Sequence, residues 1–264
     1  MKTVFKYIFL YIGWTLLGAL IVLIPAVLVY FAVTSHVDGC FDNPWCFSAI
    51  MLGSQLLPLY VFRRRGYADY SIDNRLNSMK LYLWLAVATI GCILLASVVL
   101  EFIPFDEMED LESLEQMGTN PIGIIAGCIL APLVEETFFR GIIERHLLET
   151  RRNPWFAILF SAILFSVSHF NFTQGIFTLI AGILLGWVYY RTRNLWPCIF
   201  IHAFNNTVST LSGFIYDDTT IADESFTIPM DFAVLATGVA LLYFSIRQIH
   251  KFIRYRIEDT ASLR

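Results

Sequence analysis

The sequence is poor in charged residues. Asp, Glu, Lys and Arg make up only 15% of its 264 residues, whereas hydrophobic residues make up 57% and the mean hydropathy is +0.63. Charged residues are normally about a quarter of a soluble chain, and the apolar residues of this chain occur in blocks. The shortage of charge excludes an ordinary soluble domain and indicates a polytopic membrane protein.

Several familiar motifs are also missing. The chain has no C-x-x-C pair and no H-E-x-x-H, which excludes two common sequence signs of a zinc site. It has a net charge of −4 and no basic patch with interleaved aromatic residues, so nucleic acid is not an expected partner. No repeat, low-complexity linker or second domain is evident, so we expect residues 1–264 to form a single transmembrane domain.

Five cysteines are present. Three of them, Cys92, Cys128 and Cys198, lie in apolar runs and are typical of small core residues. Cys40 and Cys46 flank a short polar loop and are candidates for a disulfide if that loop faces an oxidising compartment.

Eight apolar runs are long enough to cross a bilayer, which needs roughly 20 mostly apolar residues. They lie at about residues 7–33, 46–62, 81–103, 121–143, 154–170, 174–190, 195–213 and 229–250. Asn120-Pro121 and Asn153-Pro154 place a capping residue and a proline where a run begins, as expected for helix N-termini. The sequence therefore predicts an all-α fold, a bundle of about eight transmembrane helices.

The loops between these runs carry charge of one sign each. Twelve acidic residues and no Lys or Arg lie in 34–45, 104–119, 170–173 and 214–228. Seventeen of the 18 basic residues lie in 1–6, 63–80, 144–153, 191–194 and 247–264. The two sets alternate along the chain, so the positive-inside rule predicts that both termini are cytoplasmic in a cell membrane.

Few strongly polar groups interrupt the apolar runs, and such groups are candidates for a functional site. The fourth, fifth and seventh runs contain them: Glu135, Glu136 and Arg140; His169; and His202, Asn205 and Asn206. Each also has a structural explanation, since a Glu–Arg pair can staple helices together and Asn often bonds one helix to another. Their convergence on three runs favours a site.

Helical spacing separates the two carboxylates. Glu136 and Arg140 are i,i+4 neighbours that can form an ion pair. Glu135 lies about 140° around a regular helix from Arg140, so we expect it to point elsewhere and to serve as a general base. His202 and Asn206 are also i,i+4 neighbours and can direct donors at one point, as an oxyanion-binding pair does.

The depth of these groups can be compared along the chain. Glu135 lies ten residues from Arg145, and His202 lies nine residues from Arg193. At 1.5 Å per residue both are about 14–15 Å from the basic boundary, so we expect them at one depth. His169 fits less well, because the same count from Asn153 gives about 24 Å.

Three motifs occur in order on these runs: E-E-x-x-x-R from Glu135 to Arg140, F-x-x-x-H from Phe165 to His169, and H-x-x-x-N from His202 to Asn206. Together they resemble the CAAX protease and bacteriocin-processing family, also called CPBP or Abi, which includes the type II CAAX prenyl proteases. The resemblance covers roughly residues 120–213. It implies an intramembrane endopeptidase with a polar cavity inside a bundle of eight transmembrane helices.

The resemblance also implies roles for individual residues. Glu135 and His169 would activate a water molecule, His202 and Asn206 would stabilise the oxyanion, and Glu136 and Arg140 would support them. No cofactor is favoured. The alternative is a zinc ion held by Glu135, His169 and His202.

The resemblance implies a peptide, or a lipid-anchored or other membrane protein, as substrate, in contact with the lipid bilayer. The main alternative function is a non-proteolytic membrane scaffold or immunity protein of the same fold. A small-solute transporter is less favoured, because no inverted repeat is evident.

The charge pattern makes a prediction about topology. Reporters fused at Met108 and Asp218 are expected to be external, and reporters fused at Asn74 and Arg193 to be cytoplasmic, because basic loops are retained inside. Paired alkaline phosphatase and fluorescent protein fusions measure this. An external signal at Asn74 would contradict the orientation.

Overall fold

The computed structural model describes residues 1–101, 120–151, 153–215 and 228–258. Within these ranges the regular secondary structure is helical, with no strand. The main helices are α1 (Lys2–Thr34), α2 (Pro44–Arg64), α3 (Met79–Glu101), α4 (Pro121–Thr150), α5 (Pro154–Val167), α6 (Phe172–Thr192), α7 (Leu195–Ile215) and α8 (Ile228–Ile253). A π-helical turn, Arg254–Glu258, extends α8. The acidic loops 104–119 and 216–227 lie outside the described residues.

Each predicted run corresponds to one of these helices, which confirms an all-α polytopic membrane protein. In the part of the chain that is described, six helices are long and apolar enough to cross a membrane: α1, α2, α3, α4, α6 and α8. Helix α5 is shorter, with 14 residues. Helix α7 has 21 residues, but its polar residues, among them His202 and Asn206, lower its mean hydropathy. The predicted eight spans are therefore eight helices, of which six meet the length and hydropathy of a span.

Asparagine followed by proline starts three of the helices. Asn43, Asn120 and Asn153 each accept a hydrogen bond from a backbone N–H of the first turn. The proline that follows has no N–H, and none is needed in that turn. The starts predicted at Asn120-Pro121 and Asn153-Pro154 are confirmed.

Helix α5 ends earlier than its apolar run. The run was predicted to continue to residue 170, but the helix stops at Val167. Phe170 has φ 54°, a left-handed conformation that ends the helical path, and Asn171 then caps the start of α6. His169 therefore lies on the connection between α5 and α6 and not in the helix, so the helical rise used to count its depth does not apply to it.

The four helices that carry or flank the motifs, α4 to α7, form the centre of the bundle. Helix α4 contacts α2, α5, α6 and α7. In its most apolar stretch of 18 residues, 56% of the residues are buried. Helix α1 packs mainly on α2, and α8 packs mainly on α3. In the most apolar stretch of 18 residues of α1, only 6% of the residues are buried, so this helix presents apolar side chains to lipid.

The contact between α1 and α2 depends on two glycines. A Cβ atom on Gly18 would lie 2.2 Å from the Gly53 oxygen, and one on Gly53 would lie 2.4 Å from a methyl carbon of Val22. Small residues let membrane helices approach closely where apolar burial offers no advantage over lipid. The two glycines therefore set the distance between these outer helices.

The sequence predicts a basic surface segment at residues 63–80. The part of it that connects α2 to α3, segment 65–78, packs against α4 and the start of α7. The Tyr70 hydroxyl lies 2.8 Å from Thr137 Oγ1 of α4, and the indole of Trp196 donates to the Tyr70 carbonyl. Asn194 Nδ2 donates to the Ser71 carbonyl at 3.0 Å. Because Thr137 Oγ1 donates its hydrogen to the Leu133 oxygen, Tyr70 must be the donor to Thr137. Burial raises the pKa of Tyr70, which keeps this donor protonated.

Candidate functional site

Helix α4 is not a regular α-helix. Two stretches, Ala126–Leu130 and Thr137–Glu144, are π-helical and flank the α-helical turn Ala131–Glu136. A π turn bonds residue i to i+5 and occurs frequently at functional sites. Arg140 lies in the second π stretch, so the 140° expected between Glu135 and Arg140 in a regular helix does not apply. Whether Glu135 and Glu136 have different surroundings is therefore judged from the contacts of each side chain.

Pro132 frees a carbonyl group in the first π stretch. The Ala131 N–H bonds to the Ala126 oxygen, five residues back. The donor that this pattern would give to Gly127 is the N–H of Pro132, which proline lacks. The Gly127 oxygen instead accepts a hydrogen bond from Asn206 Nδ2 at 2.8 Å. The proline thus creates the acceptor that fixes α7 to α4.

Glu136 and Arg140 form a fully buried ion pair. Arg140 Nη1 lies 3.0 Å from Glu136 Oε1, and both side chains are 0% exposed. Arg140 Nη2 donates to the Gly182 carbonyl of α6 at 3.2 Å. The guanidinium also lies 4.7 Å from the ring centroid of Phe165 in α5. The predicted pair is confirmed, and through Arg140 it joins α4 to α5 and α6.

His202 is the second partner of Glu136. Its Nδ1 lies 2.8 Å from the same Oε1 that Arg140 contacts. A carboxylate paired with Arg140 only accepts hydrogen bonds, so Nδ1 carries a hydrogen and Nε2 is the nitrogen available for other contacts. Nε2 lies 3.8 Å from Glu135 Oε2. His202 therefore lies between the two carboxylates, and Glu135 and His202 share one depth as predicted.

Glu135 has different surroundings from Glu136. Its side chain is 24% exposed, and no ion pair joins it to Arg140 among the described residues. Its Oε2 is buried and has no hydrogen-bond partner in the described ranges. Of the two neighbouring carboxylates, one is thus enclosed and paired with Arg140. The other is 24% exposed, and its ion-pair contact within the described ranges is the approach to His202.

The ring of Phe165 connects His169 to this polar group. Phe165 is 2% exposed, and its ring meets the imidazoles of His169 and His202 edge-on, with centroid distances of 4.9 and 5.5 Å. His169 Nδ1 lies 2.8 Å from the Phe165 carbonyl oxygen. Within the described residues, His169 thus reaches the site across an aromatic ring and not through a hydrogen bond to a carboxylate.

Asn206 and His202 bind different partners in this structure. The Asn206 amide donates to Gly127, and its Oδ1 accepts from Asn205 Nδ2 at 3.3 Å. An asparagine amide carries two hydrogens. To donate to a developing oxyanion, Asn206 would therefore use its second amide hydrogen, or its hydrogen bond to the Gly127 oxygen would have to break.

The alternative zinc ligands Glu135, His169 and His202 do not converge on one point. In the described part of the chain, no group of three or more His, Cys, Asp and Glu side chains is arranged to hold a metal ion. An open zinc site needs three protein ligands at about 2.0–2.2 Å from the metal. The donor set in this conformation does not fit zinc, and no step proposed below uses a metal.

Two clefts open beside the site. One, of 430 Å³, lies between segment 65–78 and α7, with Tyr82, Phe200 and Ala203 in its wall. The other, of 400 Å³, lies beside His169 where α5 turns into α6, with Val167 in its wall. Glu135 lines neither cleft, so the polar cavity expected around it stays a prediction.

Several contacts of the site were not expected from the sequence. Phe165 was interpreted as a core residue only, yet its ring also touches Arg140 and two histidines. The carbonyls of Gly127 and Gly182 act as acceptors, which residue type does not reveal. Glu144 was counted with a polar loop, yet it is 0% exposed inside the bundle. In the sequence, its i,i+4 spacing from Arg140 is the one feature that could have indicated that Glu144 lies near the buried ion pair.

The cysteines agree in part with expectation. Cys92, Cys128 and Cys198 are buried, as predicted for core residues. Cys40 and Cys46 are free thiols in this structure. Their pairing in an oxidising compartment stays a prediction.

The similarity of this chain to known proteins is found in the segment that contains the site residues. The family described as "Type II CAAX prenyl endopeptidase Rce1-like" matches residues 118–208. The "Putative membrane peptidase YdiL" of Bacillus subtilis (strain 168) is 34% identical over 94 residues, which are 36% of this chain and 38% of the relative. The match thus spans well under half of the relative's length. No solved structure matches the chain.

The family match covers all three motifs, from Glu135 through His169 to Asn206. It agrees with the resemblance inferred from the residues themselves. Residues 118–208 of this membrane protein are therefore similar to the CAAX-protease-like family.

Proposed function

We propose that this protein is an intramembrane endopeptidase in which Glu135 activates a water molecule for hydrolysis of a peptide bond. The observation that carries the proposal is the contrast between two neighbouring carboxylates. Glu136 is enclosed by Arg140 and His202. Glu135 is 24% exposed, has an unpaired Oε2 and lies 3.8 Å from His202 Nε2. A general base needs a carboxylate that is not already held in an ion pair with a cation and that water can reach.

The proposed reaction is a direct attack by water. Glu135 takes one proton from the water, and the water oxygen bonds to the carbonyl carbon of the scissile peptide. The carbonyl oxygen becomes an oxyanion and then returns its electron pair, so that the C–N bond breaks. The amine leaves with the proton returned by Glu135, and the other product is a carboxylic acid, which loses its proton to the released amine or to solvent and becomes a carboxylate. A positioned general base contributes on the order of 10²–10⁴ in rate.

The other residues have separate proposed roles. Glu136 holds the Nδ1 side of His202 and so directs Nε2 toward Glu135, as residues behind a catalytic imidazole commonly do. His202 and Asn206 stabilise the oxyanion. His169 assists in the activation of water from its place beside Phe165. Arg140 compensates the charge of Glu136 and supports the site without touching substrate.

The proposed substrate is a peptide, or a lipid-anchored or other membrane protein, that reaches Glu135 from the bilayer or its surface. Both termini and the basic segment 63–80 are proposed to be cytoplasmic. The name of the matched family, a CAAX prenyl endopeptidase, supports a peptide near a lipid anchor as the first substrate class to test.

The alternative is a non-proteolytic scaffold or immunity protein. It is favoured by the fact that the buried polar groups also join helices, as in the contacts of Arg140 with Gly182 and of Asn206 with Gly127. A scaffold would keep these contacts without needing an accessible carboxylate. The two functions therefore differ in what they predict for Glu135.

Glu135→Gln separates enzyme from scaffold. This change keeps the size and hydrogen-bonding capacity of the side chain but removes the base. We expect the folded protein to accumulate normally and processing to fall by about 10²-fold or more. Quantitative proteomics of membrane peptides in cells with wild-type protein or the variant would reveal an accumulating precursor. Glu149→Gln, at an exposed pair on the same helix, is the matched control.

The protease proposal would be contradicted if Glu135→Gln left the membrane peptides and the biological activity unchanged. That result, at normal protein level, would leave the scaffold function as the better account.

The two carboxylates are also distinguished by stability. Glu136→Ala and Arg140→Ala each leave an uncompensated buried charge, which can cost about 3–5 kcal/mol. We expect both variants to lower the melting temperature, with loss of activity as a consequence. Glu135→Ala removes an unpaired charge, so it is expected to leave the melting temperature unchanged or higher while it abolishes cleavage. Thermal unfolding of the three purified variants in one detergent measures this. A larger loss of stability for Glu135→Ala than for the other two would reverse the assigned roles.

A further inference from the structure

The spacing between α4 and α7 determines the geometry of the site. His202 of α7 approaches Glu136 at 2.8 Å and Glu135 at 3.8 Å, and both carboxylates belong to α4. N-terminal to the carboxylates, the hydrogen bond from Asn206 to the Gly127 oxygen joins the two helices. Two helices joined at one point can still pivot about it, so a fixed spacing needs a second connection on the other side of the carboxylates.

Segment 65–78 supplies the second connection, and Tyr70 is at its centre. The hydroxyl of Tyr70 donates to Thr137 Oγ1 of α4, with 2.8 Å between the oxygens. Its carbonyl oxygen accepts a hydrogen bond from Trp196 Nε1 of α7 at 3.2 Å. The carbonyl of the next residue accepts from Asn194 Nδ2 at 3.0 Å. A short stretch of backbone therefore holds α4 by a side chain and α7 by its main chain.

Close packing at Gly141 of α4 shows that the segment is wedged between the two helices. A Cβ atom on Gly141 would lie 2.9 Å from the Cβ of Ala68 and 3.3 Å from Cδ1 of Leu195 in α7. Leu195 is 2% exposed and Ala68 is 9% exposed. Segment 65–78, α4 and α7 thus meet at one point, so the hydrogen bonds of Tyr70 belong to a packed junction.

Thr137 connects this junction to the carboxylates. It is 0% exposed and is the first residue of the π stretch Thr137–Glu144, directly after Glu136. Its Oγ1 donates to the Leu133 oxygen at 2.6 Å, and the oxygen still has lone pairs that can accept from Tyr70. The bond from residue 137 to residue 133 closes the turn that contains both carboxylates. A displacement of Thr137 therefore displaces that turn.

We propose that Tyr70 is a positioning residue that holds turn 133–137 of α4 at a fixed distance from α7. It acts through Thr137 on one side and Trp196 on the other, and it thereby sets the distances of Glu135 and Glu136 from His202. The effect on cleavage rests on the proposed function. The coupling of Tyr70 to Thr137, and its effect on the surroundings of His202, do not.

Four variants separate this role from general packing. Tyr70→Phe removes the hydroxyl and keeps the ring. Thr137→Val removes the acceptor with little change of shape, whereas Thr137→Ser keeps it. Tyr67→Phe is the matched control, because Tyr67 lies in the same segment and packs its ring on Tyr7 and Phe62, and its hydroxyl has no hydrogen-bond partner among the described residues.

Kinetics of purified protein test the positioning role, with a quenched fluorescent peptide ending in a farnesylated CAAX sequence as the probe. We expect Tyr70→Phe and Thr137→Val to reduce kcat by about tenfold and to leave KM unchanged, because a misplacement of about 1 Å can cost up to about 10²-fold in rate. Thr137→Ser and Tyr67→Phe should stay close to wild type. An unchanged kcat in Tyr70→Phe, or an equal loss in Tyr67→Phe, would contradict the proposal.

A double-mutant cycle on thermal unfolding in one detergent tests the hydrogen bond itself. Tyr70→Phe should lower the melting temperature of the wild type and of Thr137→Ser. It should not lower the melting temperature of Thr137→Val, because the acceptor is already missing there. An equal decrease in all three backgrounds would overturn the coupling of Tyr70 to Thr137.

The imidazole of His202 gives a readout that needs no substrate. In protein labelled with ¹⁵N-histidine, the signals of His202 are assigned by their loss in His202→Gln, and their positions report the hydrogen bonding of Nδ1 and Nε2. Tyr70→Phe should shift both signals, and Tyr67→Phe should leave them in place. If wild-type protein does not cleave the probe peptide, that substrate class fails, and these spectra still decide the role of Tyr70. Identical His202 signals in Tyr70→Phe and wild type would overturn the proposal.

Discussion

The buried ion pair of Glu136 and Arg140 is the interaction on which the centre of the bundle depends. Moving two charges out of water costs several kcal/mol each, and the cost is recovered only where the remaining donors and acceptors are also satisfied. Here three other helices supply partners, through the Gly182 carbonyl, the ring of Phe165 and the imidazole of His202. Arg140 Nε and Glu136 Oε2 have no hydrogen-bond partner among the described residues. The pair therefore determines how α5, α6 and α7 are placed around α4. Because Arg140 pairs with Glu136, the neighbouring Glu135 is left without this partner and stays partly exposed.

Much of this arrangement follows from local rules that the sequence displays. An i,i+4 spacing predicted the pair of Glu136 with Arg140, because side chains four residues apart meet on a helix surface. Counting residues from the basic boundaries placed Glu135 and His202 at one depth, and they lie 3.8 Å apart. Asparagine and proline marked helix starts at Asn120 and Asn153, because each pair satisfies or removes the orphan donors of a first turn.

The remaining features depend on contacts between distant parts of the chain. The π stretches of α4 are deviations from the regular helix that residue spacing assumes, and the acceptor at Gly127 exists only because Pro132 lacks a donor and Asn206 lies opposite. The early end of α5, which put His169 on a connection, depends on the left-handed backbone at Phe170. Residues 63–80 have the composition of a basic surface segment. The contact of Tyr70 with Trp196 could not be predicted from that composition, because the two residues lie more than a hundred positions apart in the chain.

The central claim is that Glu135 acts as a base on water while Glu136 remains bound to Arg140. The most direct test is a single turnover in ¹⁸O-labelled water, with enzyme in excess over the substrate peptide that accumulates when Glu135 is replaced by Gln. Direct attack by water predicts one labelled oxygen in the new carboxylate of the peptide product and none in the protein. Label in the side chain of Glu135, with an unlabelled product, would show that the carboxylate attacks the peptide itself and would contradict the account.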